Sequence, residues 1–252
     1  MGGTIGGVVF TQTFKLLVKG IPIPLITIIT IVPKQQHSPV QLISVTPNAE
    51  QLIAYCARVS NPKNQDNPDN EKLIRYLIKH NHWSPLEMAH IVMSIETTRA
   101  IGAQILRHRS FSFQEFSQRY ADVSNLQFAR PPELRRQDTK NRQNSIDDLD
   151  DATKAEFSIR AKYLFDSSER LYKEMLGAGV AKECARDVLP LATPSRLYMA
   201  GSVRSWIHYV LLRIGNGTQK EHQEIAKLCM KELEKAVPTV MAALDVRKPK
   251  KK

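Results

Sequence analysis

Cysteine is scarce in this 252-residue chain, and no apolar run is long enough to cross a bilayer. The three cysteines, Cys56, Cys184 and Cys229, are odd in number and widely spaced, which argues against a disulfide framework or a zinc site. They favour a reducing compartment, so we expect a cytoplasmic protein. The apolar run at residues 21–32 has twelve residues and two prolines. It is too short for a span, and no membrane partner is predicted.

Acidic residues are outnumbered by basic ones, and no segment is repeated. Asp and Glu total 25 against 36 Lys and Arg, which gives a formal net charge of +11. This excess predicts attraction to anions such as nucleotides, nucleic acid or an acidic surface. Part of it lies in residues 241–252, which we expect to be a basic, disordered tail. Residues 1–38 are expected to form a hydrophobic, irregular extension, and residues 39–240 a single folded domain.

Strand and helix signals alternate along that domain. Alternating residues indicate strands at residues 42–47 and 90–97, after which Thr98 is expected to cap the helix leading into Gln104. Helical spacing indicates a helix over residues 155–176 that Gly177 ends, and Pro194 is expected to open a helix over residues 195–213. The other expected elements are helices at residues 48–59 (with Asn48 as N-cap), 71–80, 181–189 and 218–237, and a long irregular loop at residues 122–153.

The stretch at residues 104–109 crowds basic side chains behind an apolar, helix-like run. On a helix, successive residues are about 100° apart, so Arg107, His108 and Arg109 would fan across most of its circumference. Gln104 would share a face with the first two. At least one of these side chains should therefore point at the protein or at a ligand, and such crowding favours an anion.

The segment that follows adds an acceptor, a hydroxyl and a guanidinium. Period two would place Glu115, Ser117 and Arg119 on one face, with Phe116 and Tyr120 on the other. This combination suits a polar ring that carries a phosphate better than an apolar substrate.

The spacing of these residues resembles a known family signature. Arg107-His108-Arg109, seven residues and then Ser117 is similar to the RHRx7S motif of the flavin-dependent thymidylate synthases, the ThyX family. The similarity extends in consistent order over about residues 40–238. It implies an α+β fold, with a central twisted, mainly antiparallel sheet and packed helices, in a homotetramer whose sites are shared between subunits.

The resemblance also implies a reaction. It is the reductive methylation of dUMP to dTMP, with 5,10-methylenetetrahydrofolate as the one-carbon donor and NADPH as the reductant through FAD. The cofactors carry chemistry that unassisted side chains lack, and the protein orients and polarises. The domain at residues 39–240 would then be the ThyX-like catalytic domain of de novo thymidylate synthesis.

Site residues follow from the resemblance position by position. The segment around His82 and Ser84 is similar to the family motif H-x-H-x-[ST]-P, and the segment around Arg186 is similar to one whose arginine meets the nucleotide. The catalytic candidates are Arg213, which would stabilise negative charge on the uracil, Ser117 and His82. The implied dUMP ligands are Gln104, Ile105, Leu106, Arg107, Glu115, Phe116, Ser117, Gln118, Arg119, Arg186 and Arg213. The implied FAD contacts are His82, Ser84, Arg107, His108, Arg109, Glu115, Ser202, Val203, Arg204 and His208.

The expected helix before residue 213 would serve two surfaces. Arg204 and His208 stand one turn apart on a shared face, whereas Arg213, nine positions beyond Arg204, is rotated by about 900° to the opposite side. Such a helix is natural where it contributes to two pockets of a symmetric oligomer.

Two chemical alternatives remain open within these motifs. His80, His82 and His90 could be read as a histidine metal site, but no cysteine or third properly spaced ligand supports it, and no metal is predicted. Ser117 could be a nucleophile if a base such as His108 came within hydrogen-bond reach. We favour a positioning hydroxyl, because the resemblance implies activation of uracil without a covalent enzyme adduct.

Two other classes of protein also remain open. A basic nucleic-acid-binding protein would explain the charge and the interleaved Phe111, Phe113 and Phe116. No helix-turn-helix, zinc or RNP signature appears, however, and no nucleic-acid partner is predicted. An adaptor oligomer would leave the convergence of Gln104, Arg107, Ser117 and Arg119 without a purpose.

Overall fold

The computed structural model describes residues 8–14, 17–18, 21–22, 26–32, 38–126 and 132–245. The chain divides into two compact units, Met1–Ser38 and Pro39–Lys252. The described residues of the first form the strands β1 (Val8–Phe14), β2 (Leu17–Val18), β3 (Ile21–Pro22) and β4 (Ile26–Val32). Strand β1 pairs antiparallel with β4, and β2 with β3. The expectation that this extension would be irregular is therefore wrong for these strands.

The second unit carries the remaining elements. Its first half contains β5 (Val40–Val45), α1 (Ala49–Ala57), α2 (Glu71–Lys79), β6 (His90–Thr98), α3 (Arg99–Ile105) and β7 (Ser112–Glu115). Its second half contains β8 (Arg136–Gln137), β9 (Ser145–Ile146), α4 (Asp151–Gly177), α5 (Lys182–Ala185), β10 (Pro194–Ser202), α6 (Val203–Arg213), α7 (Lys220–Ala236) and α8 (Pro238–Asp245). Short 3-10 turns lie at Pro62–Asn64, Ser84–Glu87, Val123–Asn125 and Arg186–Val188.

A four-stranded antiparallel sheet forms the centre of this unit. Its strand order is β5-β6-β10-β7. Strands β6 and β10 pair in register, so that Leu197 lies opposite Ile95 and Met199 opposite Met93. All four side chains are buried. The predicted α+β class with an antiparallel sheet is confirmed.

Helices α6 and α7 cover one face of the sheet. Alternate side chains of β6 and β10 enter the same core as Trp206 and Cys229, because successive strand residues point to opposite faces. The Trp206 indole satisfies its buried N–H by donating to the Ile91 carbonyl at 3.0 Å. On the other face, Arg196 and Tyr198 are exposed. The core therefore fixes the position of α6 against the sheet, and with it both ends of that helix.

The expected helix over residues 195–213 is wrong in its first half. Pro194 opens β10 rather than a helix, and the helix begins at Val203. Proline is tolerated as the first residue of a strand as well as of a helix, so it does not distinguish the two. The alternation of buried Ser195 and Leu197 with exposed Arg196 is the strand signal.

The ends of α4, the cap of α1 and the C-terminal residues of the domain also differ from expectation. Helix α4 begins at Asp151 and includes Gly177, and the left-handed residue that follows it is Gly179, with φ +85°. Asn48 precedes α1 as expected but makes no side-chain cap hydrogen bond. Helix α8 runs through Asp245, so residues 241–245 are not a disordered tail. Residues 246–252 lie outside the described residues.

The stretch at residues 104–120 is less regular than predicted. Thr98 caps α3 as expected, its hydroxyl accepting from the Ile101 N–H at 3.4 Å. The helix ends at Ile105, so Arg107, His108 and Arg109 lie beyond it and do not fan around a helix. Strand β7 ends at Glu115, and the turn after it places the Tyr120 N–H against the Ser117 carbonyl at 3.2 Å. The predicted face of Glu115, Ser117 and Arg119 is therefore not formed.

Among the described residues, none of the helices combines the length and apolarity that crossing a membrane requires.

Candidate active site

A partly buried polar cluster lies where α3, α6 and α7 meet. We call Gln104, His108, Tyr209, Arg213 and His222 the inner cluster. Arg213 Nε donates to His108 Nε2 at 2.9 Å, and the His108 ring stands edge-on to that of Tyr209, with centroids 4.9 Å apart. Tyr209 is 1% exposed and His222 0%. The core thus holds the end of α6 that carries Arg213 by polar contacts rather than by apolar packing alone.

Burial keeps the two histidines of this cluster neutral. Burial, with the Arg213 guanidinium beside it, lowers the pKa of His108 from 6.5 to about 4. Burial, Arg213 and His108 lower the pKa of His222 to about 4. Burial also raises the pKa of the Tyr209 phenol. His108 is therefore uncharged near neutral pH, and the positive charge of residues 107–109 comes from Arg107 and Arg109.

A chain of hydrogen bonds connects His222 to α3 and α6. The Tyr209 hydroxyl lies 3.2 Å from His222 Nε2, and His222 Nδ1 lies 3.2 Å from Gln104 Oε1. Gln104 Nε2 in turn donates to Gln219 Oε1 at 2.8 Å. One buried imidazole therefore connects a residue predicted to bind substrate to the helix that carries Arg213.

A second group of polar residues surrounds the end of β7. Glu115 Oε1 accepts from Ser195 Oγ at 2.9 Å and from Arg99 Nη1 at 3.4 Å. Arg119 Nε donates to Glu183 Oε2 at 3.1 Å, and Arg186 Nε donates to the carbonyl of the same glutamate at 3.2 Å. Arg119 and Arg186 are therefore brought to one segment, α5.

Arg186 also lines a cavity of about 260 Å³ next to this group. The other lining residues are Arg99, Gln118, Asp187, Leu189, Pro190, Leu191 and Thr193. Gln118 is 5% exposed, and its Nε2 atom is buried without a hydrogen-bond partner among the described residues. Two guanidinium groups, Arg99 and Arg186, line the cavity against one carboxylate, Asp187, so this cavity favours an anionic ligand that accepts hydrogen bonds.

A third group lies around Arg204 and His208 of α6, which contact Glu87 and Trp83. We call these four residues the outer face of α6. Arg204 Nη1 donates to Glu87 Oε1 at 2.8 Å, and the rings of His208 and Trp83 meet edge-on at 5.1 Å. Burial and Arg204 lower the pKa of His208, against an opposing effect of Glu87. The prediction that α6 serves two surfaces is confirmed, because Arg204 and Arg213 contact different parts of the chain.

The other predicted flavin contacts are divided between the surface and the core. Ser202 is 4% exposed and uses its hydroxyl to cap α6 by accepting from the Ser205 N–H at 3.2 Å. The Val203 side chain is 0% exposed. His82 and Ser84 are exposed, and the His82 ring meets Tyr76 edge-on at 5.8 Å. Within the described residues, no group of three or more His, Cys, Asp or Glu side chains is arranged to hold a metal ion.

Comparison with known proteins identifies the family of this chain. Residues 41–239 match the family described as thymidylate synthase complementing protein. The chain belongs to this family. A flavin-dependent thymidylate synthase from Synechocystis sp. is 55% identical over 196 residues, which cover 78% of this chain and 89% of that protein. A probable flavin-dependent thymidylate synthase from Paramecium bursaria Chlorella virus 1 is 47% identical over 213 residues, covering 81% and 98%.

The fold is shared with a solved member of similar chemistry. The UMP/dUMP methylase PolB from Streptomyces cacaoi, solved with 5-Br dUMP, aligns with a TM-score of 0.72 and 26% identity, over 82% of this chain and 94% of that one. The predictions of a ThyX-family flavoenzyme and of thymidylate synthesis are therefore confirmed. The alternative of a nucleic-acid-binding protein receives no support from these relatives.

Within this family member, the predicted site residues fall into three places. Gln104, His108 and Arg213 meet in the inner cluster. Arg204 and His208 lie on the outer face of α6. The members near β7 are Glu115, Gln118, Arg119 and Arg186. The remaining predicted ligands include the buried Ile105, the half-buried Phe116 and Ser117, and the exposed Leu106, Arg107 and Arg109. Their roles stay predictions.

Sequence reasoning missed several polar residues that contact the predicted ones. His222 and Tyr209 support the inner cluster, and Arg99 contacts Glu115. A signal for His222 was present: it lies on the face of α7 whose other buried members are Ile225, Ala226, Cys229 and Leu233. A single histidine on a buried apolar face needs polar partners.

Proposed function

We propose that this chain makes dTMP by reductive methylation of dUMP, with 5,10-methylenetetrahydrofolate as the carbon donor and NADPH as the reductant through FAD. The observation that carries the proposal is the environment of Arg213. This half-buried guanidinium contacts a neutral imidazole, and within the described residues no carboxylate forms an ion pair with it. Its charge is therefore available to a negative ligand. The names of the relatives, and the 5-Br dUMP bound by PolB, support a deoxyuridylate.

Arg213 would stabilise the negative charge that develops on the uracil ring. A preorganised cation in a half-buried site acts more strongly than one in water, because it need not reorganise when charge develops. The Nε atom is held by His108, which leaves the two Nη groups free to donate. The role of His108 would be to orient this fork while remaining uncharged.

The residues near β7 would hold the nucleotide phosphate. Arg186 and Gln118 line one cavity, and the Arg186 guanidinium is a hydrogen-bond donor only. Guanidinium forks match phosphate oxygens in geometry and charge. Arg119 is bound to Glu183 in an ion pair whose two side chains are 57% and 52% exposed. Such a pair is worth little, so a phosphate can take Arg119 over.

The guanidinium groups and imidazole rings predicted to contact FAD have the chemistry that this cofactor needs. Arg107, Arg109 and Arg204 offer guanidinium groups to a diphosphate, and His82 and His208 offer exposed rings to an aromatic heterocycle. When bound, FAD supplies the hydride chemistry that these side chains lack. Ser202 and Val203 would contribute through their backbone only, because both side chains are buried.

Ser117 would position the nucleotide rather than attack it. Among the described residues, no imidazole or carboxylate accepts a hydrogen bond from its hydroxyl, and His108 already accepts from Arg213. A serine without a base in reach is a weak nucleophile.

The assembly would be a homotetramer in the cytoplasm, with sites shared between subunits. In one chain the predicted ligands lie in three separate groups, which subunits can combine. Helix α4 is 27 residues long and buries only Tyr172 among its described side chains. Its exposed apolar residues, including Ile159 at 71% and Leu164 at 65%, offer a surface for a second copy.

Purified protein tests the reaction directly. It should be yellow, its flavin absorbance should bleach on adding NADPH, and tritium release from 5-labelled dUMP should require methylenetetrahydrofolate. Sedimentation should give the mass of four chains. Colourless protein that shifts DNA in a salt-sensitive manner would contradict the proposal.

A further inference from the structure

We propose that His222 is a positioning residue: it holds the Gln104 side-chain amide in one orientation, with its N–H group rather than its carbonyl oxygen presented to the nucleotide. The inference rests on the proposed binding of dUMP. His222 is not among the residues that the family resemblance assigned. It would act through Gln104 without touching the substrate.

The hydrogen-bond chain gives this amide a direction. Gln104 Nε2 donates to Gln219 Oε1 at 2.8 Å, so Gln104 Oε1 is the atom that faces His222 Nδ1 at 3.2 Å. An amide oxygen only accepts, which requires the proton of His222 to be on Nδ1. His222 Nε2 then accepts from the Tyr209 hydroxyl at 3.2 Å. Every atom in the chain has a consistent donor or acceptor role.

The neutral protonation state of His222 keeps the orientation of the Gln104 amide fixed near neutral pH. The imidazole is 0% exposed, and burial is the main reason that its pKa lies at about 4. A neutral imidazole has a single N–H, and the hydrogen bond at one nitrogen decides where that proton sits. The Gln104 oxygen therefore selects the tautomer, and the Tyr209 hydroxyl can serve either one, because it can donate or accept.

The orientation matters because a nucleotide offers mainly acceptors. Phosphate oxygens and uracil carbonyls need donors, and Gln104 Nε2 carries a second hydrogen besides the one given to Gln219. An amide rotated by 180° would present its oxygen to those acceptors instead. His222 therefore favours dUMP binding, not the chemical step.

Two amide substitutions of His222 separate its two hydrogen bonds. In His222→Asn the short amide reaches the place of Nδ1 and keeps a donor for Gln104. In His222→Gln the longer amide reaches the place of Nε2, keeps a partner for Tyr209 and leaves Gln104 without its donor. We expect H222Q to raise the dUMP Kd and KM roughly tenfold or more with kcat within about threefold, and H222N to stay within about threefold of wild type in all three.

The measurements are calorimetric titration of the FAD-loaded protein with dUMP and steady-state tritium release. A wild-type protein that does not bind dUMP would contradict the proposed function itself. A wild type that binds dUMP, with H222Q binding equally well or H222N as weak as H222Q, would overturn the role of His222. In a Gln104→Met background, H222Q should add less than about twofold, because the amide to be oriented is gone.

A spectroscopic test needs no variant. In protein carrying 15N-labelled histidine, His222 should be neutral and protonated on Nδ1 at pH 7.5. The Nε2-protonated tautomer would remove the donor that Gln104 needs, and would overturn the inference even if no His222 variant could be purified.

Discussion

The two sides of α6 differ in how much of their chemistry one chain completes. On the inner cluster, Arg213 is held by His108, and Tyr209 and His222 are buried and hydrogen-bonded. On the outer face, Arg204 has a half-exposed ion pair with Glu87, and His208 is exposed. The first side is preorganised by the core, whereas the second can exchange its contacts for a ligand or another subunit.

Removing Arg213 should give the largest effect and break the inner cluster. In Arg213→Ala the cation at the uracil is lost, and kcat/KM for dUMP should fall by about 10³. Arg213→Lys keeps the charge without the fork and should recover only part of this loss. Tritium release measures both. Lys63→Ala, an exposed substitution in the Pro62–Asn64 turn, should match the wild type, and an R213A enzyme within tenfold of it would show that the charge is not used.

Acid should destabilise the inner cluster before the outer face. The pKa of His222 is about 4 in the folded protein and 6.5 ordinarily, so folding favours its neutral form. The corresponding stability is fully present above about pH 6.5 and is lost as the pH falls toward 4. The free energy of unfolding should be about 2 kcal/mol lower at pH 5 than at pH 7.5 from His222, with a further loss from His108.

Urea unfolding at a series of pH values measures this loss. His222→Asn should flatten the slope between pH 6.5 and 5, because the titrating group is removed. His208→Asn on the outer face should leave most of the slope in place. Equal slopes in wild type and H222N would contradict burial as the cause.

The same contrast explains what the sequence could predict. Local rules placed β6, the Thr98 cap and the two-sided use of α6, because these depend on spacing of 2 or 3.6 residues. The local rules failed at β10, because Pro194 suits the start of a helix as well as the start of a strand. The pairing of β10 with β6 determines that this segment is a strand.

The contacts of the inner cluster lay beyond local rules. Gln104 and His222 are 118 positions apart, and only the packing of α7 against the sheet brings them together. Family resemblance identified Gln104, His108 and Arg213 through their motifs. It did not identify His222, whose polar contacts follow from burial on an otherwise apolar helix face.

Crowding the inner cluster from the sheet side should give a smaller effect. A Cβ added at Gly201 would lie 2.5 Å from Phe111 Cδ1, and the Phe111 ring packs against Trp206 and Tyr209. Gly201→Ala should lower the free energy of unfolding by about 2 kcal/mol, since the ring must move. Gly177→Ala, where nothing lies within 4 Å, is the matched control and should not destabilise. Equal unfolding midpoints would show that Phe111 gives way freely.

The smallest effect should come from the outer face, and it should separate binding from stability. The side chains of Arg204 and Glu87 are 40% and 37% exposed, so their ion pair contributes at most about 1 kcal/mol to folding. Arg204→Ala should leave the unfolding midpoint nearly unchanged while raising the FAD Kd about tenfold, measured by flavin fluorescence.

Glu87→Gln decides how Arg204 is used. If Glu87 only holds Arg204 until an anion arrives, E87Q removes a competitor and should bind FAD at least as tightly as the wild type. If the pair itself positions the guanidinium, E87Q should weaken FAD as much as Arg204→Ala does. The first outcome would establish the outer face as an exchangeable surface, in contrast to the inner cluster, where we expect loss of the donor that His222 gives to Gln104 to weaken binding.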